Sequence, residues 1–524
     1  MSQNDNVFKI DFDAVEKQVK DFEKKESALL NIEEDQIRHW VDKNPTSFSK
    51  KQRATTTVLF GGLTLMQDAF IQAACQGIGY RFKALDCADN DAMQIGKEFG
   101  NRGQCNPTYF TVGNLVKYLI DLRDKQGLET QTIIDNYIFT TAGACGPCRF
   151  GLYVTEYRKA LRDAGFEGFR VLLFESKGGI NQGGDELGLD FNKTFFKAMF
   201  KAIILGDVVN LIGYRIRPYE KNEGEVNAVL EQCKQLIVEK LLSNKNVMPA
   251  LRQSKRLLDK IELNRLQVKP KVSIIGEFWA MTTEGDGNYH LQEFLEREGA
   301  EVDIQPVTNW TLYMIWSVIY DLKQQLKLNI GWLKKLAIGK KLLLLKLANF
   351  IMTRWFYRYA KAIGLNNYHL ADMQSLADES HAYYANELRG GEGHMEVGKL
   401  IQSVKYNKSH LVLSVKPFGC MPSSGVSDGV QSLVTGQYSE ANFLAIETSG
   451  DGAVNVYSRI QMALFKARKK AQQDMNEALA AESITVLEDR LDKKHRLASW
   501  YPPHRCALTA ANISYCLSKS AIKK

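Results

Sequence analysis

No run of about 18 apolar residues occurs in this 524-residue chain, which excludes an ordinary membrane-spanning helix. The nearest approach, Leu342 to Met352, is short and interrupted by Lys346. Cysteine is scarce and odd in number, nine over the whole length, so a disulfide-stapled secreted domain is excluded; reduced thiols or metal ligands remain. The opening residues, MSQNDNVFKIDFDAVEKQ, lack an apolar stretch behind a basic start, and a cytoplasmic chain is expected. Short repeats and low-complexity tracts are missing too, so a solenoid or a disordered chain is a poor description of a sequence that is 45% hydrophobic.

One absence is local. Lys323 to Lys361 contains ten Lys and Arg and no acid; with those ten set aside, 58 of the 68 basic residues face 60 acidic ones, so the net charge of +8 belongs to this segment. Interleaved with Trp332, Leu333, Leu342 to Leu345, Trp355 and Phe356, it reads as an amphipathic helical insertion with a solvated basic face. Such a face suits an acidic partner, a phosphate-bearing ligand or a membrane surface, and nothing in it calls for a nucleic acid.

What is present is α/β punctuation. A charged helical lead-in (1–54) is expected before strands at Thr57–Phe60, Tyr80–Leu85, Ile134–Thr140 and Arg170–Glu175, separated by helices at about Thr64–Gln76, Asp91–Phe99, Tyr109–Asp124 and Phe150–Ala164. A helical extension completes a first domain (55–268). A second α/β domain (269–482) is expected to start with Lys271–Gly276 and a strand at Val302–Pro306. It takes in the basic helical insertion (about 323–363) and resumes with strands at His410–Val415 and Phe443–Glu447 and a helix from Val454 to Glu482, leaving a tail (483–524). Strands alternating with helices imply parallel pairing, so the fold class is α/β with two doubly wound, mainly parallel-sheet domains.

In such sheets, sites form beyond the carboxyl ends of strands, where loops hand the chain to helix N-termini. Four cysteines fall in loops of this kind: Cys105 before a helix, Cys145 and Cys148 between a strand and a helix, and Cys420 in the loop Pro-Phe-Gly-Cys-Met-Pro. Helix N-termini favour thiolates, and neighbouring glycines, Gly146 and Gly419 among them, let backbone amides approach a cluster's sulfides. Cys75, Cys233 and Cys516 sit in apolar helical surroundings and read as buried small hydrophobes. Cys145-Gly-Pro-Cys148 also resembles a thioredoxin motif, but no proline lies between Pro147 and Pro218, and Ala144 stands where an aromatic residue is expected. A zinc site lacks a second closely spaced cysteine pair. Gly393 to Leu400 approximates a phosphate loop, yet Leu400 replaces the magnesium-binding hydroxyl and no strand precedes it. Glu392, Glu396 and His394 read as helix-surface groups or ordinary hydrogen-bonding partners.

The stretch Gly96 to Asn114, with Ala-Cys-Gly-Pro-Cys-Arg-Phe-Gly (144–151), Glu-Ser-Lys-Gly-Gly-Ile-Asn-Gln (175–182) and Lys-Pro-Phe-Gly-Cys-Met-Pro-Ser-Ser (416–424), resembles the 2-hydroxyacyl-CoA dehydratase and activase-related superfamily from about Thr57 to Ala471. The resemblance implies an oxygen-sensitive iron-sulfur cluster between two α/β domains, a [4Fe-4S] centre or a double cubane. It also implies anaerobic metabolism, a homo- or heterodimer, and a separate ATP-hydrolysing iron-sulfur activator of actin-like fold that delivers a low-potential electron. The activator's Asp-x-Gly-[Ser/Thr] start is not found here, so the chain is expected to be the acceptor component.

Carried over by position, Cys105, Cys420 and one or both of Cys145 and Cys148 match the cysteine-bearing loops. The Cys-x-x-Cys pair departs from the dehydratases, which supply three ligands per cluster, and leaves open both nuclearity and the choice between a lyase acting on an acyl-CoA and a low-potential reductase. The competing expectation is a non-catalytic cluster carrier. Glu175, Ser176, Lys177 and Ser423 are candidates for substrate contact or support of the cluster, or else ordinary loop caps; no catalytic base can be named.

Overall fold

The computed structural model describes residues 46–143, 148–175, 179–180, 187–328, 331–388, 391–482 and 506–522, with scattered positions between 19 and 29. Contacts divide the chain into units Met1–Asn44 and Pro45–Lys524, and both sheets lie in the second. The described positions of the first unit, Val19, Phe22 and Leu29 among them, are helical.

Among the described residues, apolar runs form nine strands in two sheets. The first contains β1 (Thr57–Phe60), β2 (Phe82–Ala84), β3 (Tyr137–Ala142), β4 (Arg170–Glu175) and β5 (Gly179–Ile180) in the order β2-β1-β3-β4-β5; β5 is antiparallel and the others are parallel. The second contains β6 (Lys271–Gly276), β7 (Glu301–Ile304), β8 (Leu411–Pro417) and β9 (Phe443–Thr448), all parallel, in the order β7-β6-β8-β9. Counted within its own sheet, each parallel set runs 2-1-3-4. The winding therefore reverses between the first and third strands, where open α/β sheets leave a crevice at their carboxyl ends. β6 and β8 are buried along their whole length, as parallel strands covered on both faces must be.

Local chemistry shifts several boundaries. The helix expected from Tyr109 starts at Asn106 and runs to Asp124, directly behind Cys105, because Pro107 is pre-set for a first helical turn. Thr130–Asn136 forms a short helix, so the strand expected from Ile134 begins at Tyr137. The sequence holds little promise after 482, yet Thr509–Ile522 is helical, and Leu508, Ala510, Ala511 and Ile513 are buried against the helix Ala453–Glu482. The basic segment falls in the helices Val307–Lys327 and Trp332–Ile363. No described helix is long and apolar enough to cross a membrane.

Two buried carboxylates tie the halves together. Asp207, in the helix Lys193–Ile216, accepts hydrogen bonds from Gln67 Nε2 (2.9 Å), the amides of Val307 (2.9 Å) and Thr308 (2.7 Å), and Thr308 Oγ1 (2.5 Å). It thereby joins the helix Leu65–Gln76, beside the first sheet, to the helix that follows β7. Glu301, fully buried at the start of β7, pairs with Arg215 and Lys271 and accepts from Tyr219 Oη (2.8 Å) and Thr509 Oγ1 (2.6 Å), drawing the C-terminal helix onto the second sheet. Burial works to raise the Glu301 carboxyl, but Lys271, Arg215 and Arg265 overcome it and hold the group ionised.

Asp207→Ala should strand several buried donors at once. Denaturant unfolding is expected to show a loss of at least about 3 kcal/mol, against under about 1 kcal/mol for a surface change such as Asp378→Ala.

Candidate functional site

Cys148, residues following β6 and β8, and the loop before the helix Asn106–Asp124 come near one another. A main-chain hydrogen bond from Asn106 N to Phe418 O (2.9 Å) joins the Cys105 loop to the loop after β8. Gly419 follows with φ +76°, and a β-carbon there would stand 3.2 Å from both Cys105 Cα and Gln104 O, so only glycine allows this approach without strain. On the other side, Arg149 donates to Gly103 O and anchors the residues after Cys148 to the same loop. Glu156, buried in the helix Tyr153–Asp163, shapes that loop from below, accepting from Asn101 N (3.0 Å), Asn101 Nδ2 (2.8 Å) and Gln104 Nε2 (3.0 Å).

The three described candidate cysteines share one setting. Cys105 precedes Asn106–Asp124, Cys148 precedes the 3-10 turn Arg149–Leu152, and Cys420 precedes the short helix Met421–Ser424, each in extended backbone at the N-cap. Cys105 Sγ lies 3.0 Å from Tyr153 Oη and 3.2 Å from Thr108 Oγ1. Burial pushes the Cys148 thiol up to about 11, against the pull of the Phe150 amide, and Glu277, Glu392 and Cys105 raise it further. Burial and then Glu277 push Cys420 well above the usual thiol range, opposed by Ser423. Burial thus favours the protonated form of Cys148 and Cys420, and a bound cation would have to displace those protons. Cys75 and Cys233 are fully buried in the core, as their surroundings suggested.

Three carboxylates complete the cleft, and sequence reasoning missed them. Glu392 and Glu396, expected on a helix surface or in ordinary hydrogen bonds, are buried, as is His394 between them. The reason is the packing of the helix Gly393–Lys405 against β6, β8 and the helix Met373–Ser380, which leaves its first turns no solvent-facing side. Trp310 Nε1 donates to Glu392 (2.9 Å), Ser423 Oγ donates to Glu396 Oε1 (3.1 Å), and Tyr313 Oη stands 3.0 Å from His394 Nδ1. Glu396 Oε2 is buried with no hydrogen-bond partner among the described residues.

Glu277 enters from β6, whose last residue, Gly276, has φ +127°; a β-carbon there would lie 2.0 Å from Val415 O. Its side chain caps the helix Phe278–Thr282 by accepting from Ala280 N (2.8 Å). Burial raises all three carboxyls. Glu277 and Glu396 lift Glu392 further, and Glu396 reaches about 8 despite the Ser423 hydroxyl. The one available signal for Glu277 was its place directly after a buried strand, a position where ligands gather.

Cys145, Gly146, Ser176 and Lys177 lie outside the described residues, as does the side chain of Glu175. Ser423 is described and buried, and it serves Glu396 and Cys420. Among the described residues no three His, Cys, Asp or Glu side chains are grouped tightly enough for a single metal ion. The near-motif ending at Lys399 is part of the helix Gly393–Lys405, a conformation that turns its amides along the helix axis instead of around a phosphate. Compared with protein-family models, curated proteins and solved structures, the chain matches none.

Glu396 gives a pH signature. Its folded value of about 8 lies above the ordinary 4.5, so the fold binds the extra proton between those values, and stability falls as pH rises through that window. Glu396→Gln, uncharged throughout, should flatten the decline and be more stable than the parent at pH 9, measured by urea unfolding of metal-free protein.

Proposed function

We propose that this chain is the electron-accepting iron-sulfur component of a reductively activated system, of the 2-hydroxyacyl-CoA dehydratase or double-cubane reductase kind, with its cluster held in the cleft between the sheets. The observation that carries the reading is the arrival of Cys105, Cys148 and Cys420 from three separate loops, each opening a helical turn and two of them joined through the Asn106–Phe418 hydrogen bond. Thiols facing helix N-termini are the donor set that iron-sulfur clusters use, and a cluster tolerates ligands spread more widely than a single ion does. Cys105, Cys148 and Cys420 would hold it, with Cys145 as the further ligand. When bound, such a centre supplies one-electron chemistry at low potential.

The chain's own groups supply the rest. Burial, and then the neighbouring carboxylates, push Glu392 and Glu396 toward the protonated form, so these two can carry protons in a place from which water is largely excluded, with Glu277 beside them. Trp310 and Ser423 hold two of these carboxyls in fixed orientation. Protonated acids beside an electron-accepting site suit reductive chemistry on an organic substrate, such as a thioester, better than they suit a bare electron carrier. The low-potential electron would come from the separate ATP-hydrolysing iron-sulfur activator that the resemblance implies.

Anaerobic purification followed by iron and sulfide analysis tests the reading. About four iron per chain, or about eight, is expected, with most of it lost in Cys105→Ala, Cys148→Ala and Cys420→Ala and retained in Cys75→Ala and Cys233→Ala. Zinc in place of iron, no metal at all, or a redox-active Cys145–Cys148 disulfide would overturn it.

A further inference from the structure

The helix Trp332–Ile363 is buried at one end only. Met352, Phe356, Tyr359, Ala360 and Ile363 pack into the body, where the helix meets Lys193–Ile216 and Met248–Leu258. From Trp332 to Ile351, a length of about 30 Å, no residue is buried. Trp332, Leu336, Leu343, Leu347 and Phe350 are exposed at spacings that put them on one helical face, and the largest exposures are 72% for Trp332 and 71% for Leu343. Leu333, Leu344 and Ile351 widen the stripe. Lys340 stands within this face, Lys334, Lys335, Lys341 and Lys346 lie around the remaining circumference with Ile338, Leu342 and Leu345, and the whole helix contains no acid.

An exposed apolar stripe of this length, with a lysine set into it, is a docking surface. Its charge selects among occupants. A second copy would bring the same uncompensated lysines against it, and like charges repel. A surface that offers hydrocarbon to Trp, Leu and Phe and anions to the surrounding lysines satisfies both halves of the pattern, and flexible lysine stems can reach headgroups while their methylenes stay with the apolar side chains. We infer that the exposed length of the helix Trp332–Ile363 lies in the interface of an anionic lipid membrane and holds the protein there. The helix lies on the bilayer and does not span it, because its charges leave no window apolar enough to cross. This inference is independent of the iron-sulfur reading.

Flotation of the full chain with vesicles is the test, using phosphatidylcholine alone and the same lipid mixed with phosphatidylglycerol. Binding to the anionic vesicles, weakened by salt and accompanied by a blue shift of emission that Trp332→Phe diminishes, is expected. Reversal of four lysines (K334E, K335E, K340E and K341E) should reduce partitioning more than about a hundredfold, since each lysine near an anionic surface is worth about 1 kcal/mol. L336Q/L343Q/L347Q should abolish binding while leaving the thermal transition unchanged, because all three side chains are already exposed. No binding to anionic vesicles at low salt, or equal binding to both vesicle types that the lysine reversals do not alter, overturns the inference. So does a chain that ignores vesicles yet forms a dimer in light scattering that the same leucine changes dissociate, or that ignores vesicles yet binds an acidic protein through the same lysines.

Discussion

Asp207 is the constraint on which the arrangement of the halves depends. A carboxylate inside a helix, away from water, is costly unless its oxygens are satisfied. Here the donors come from both sides: Gln67 from beside the first sheet, and Val307 and Thr308 from the helix that follows β7 in the second. The helix Lys193–Ile216 thus acts as a common wall, and any slide of one sheet past the other would leave both the carboxylate and its donors unpaired. Glu301 repeats the logic at the far side of the second sheet, where it gathers Arg215, Lys271, Tyr219 and Thr509.

With the halves held in register, loops that are remote in the chain become neighbours. The Asn106–Phe418 hydrogen bond and the close approach of Gly419 to Cys105 are consequences of that register. So is the gathering of half-buried Glu277 with buried Glu392 and Glu396, contributed by the end of a strand and the start of a helix more than a hundred residues apart. Burial shifts all three carboxyls toward the protonated form, Glu396 to about 8, so the cleft sets thiols beside carboxyls that hold protons more readily than exposed ones do. The basic helix lies outside this logic: only its last turns belong to the core, and the length before them is exposed.

Much of the architecture was legible because strands and helices here follow local rules. β1, β4 and β6 begin and end where the apolar runs do, and Cys75 and Cys233 proved buried where the helical pattern put them inside. Boundaries moved where a proline or a short helix intervened, as at Asn106 and Tyr137. Glu392, Glu396 and His394 make the ordinary hydrogen bonds that were one expectation, but they do not lie on a helix surface; their burial comes from β6, β8 and Met373–Ser380 closing over that turn, partners no local window contains. The C-terminal helix was missed for the same reason, since Thr509 finds its partner in Glu301.

The sequence by itself determined the class of fold, α/β with mainly parallel sheets, and the positions of cysteines beside helix starts, because hydrophobic periodicity and N-terminal turn chemistry are written in neighbouring residues. The tertiary structure alone decided that both sheets share a 2-1-3-4 order, that Cys105 and Cys420 meet through adjoining loops, and that three glutamates join them. Those outcomes depend on hydrogen bonds and burial between segments hundreds of residues apart, and such couplings exist only once the chain has folded.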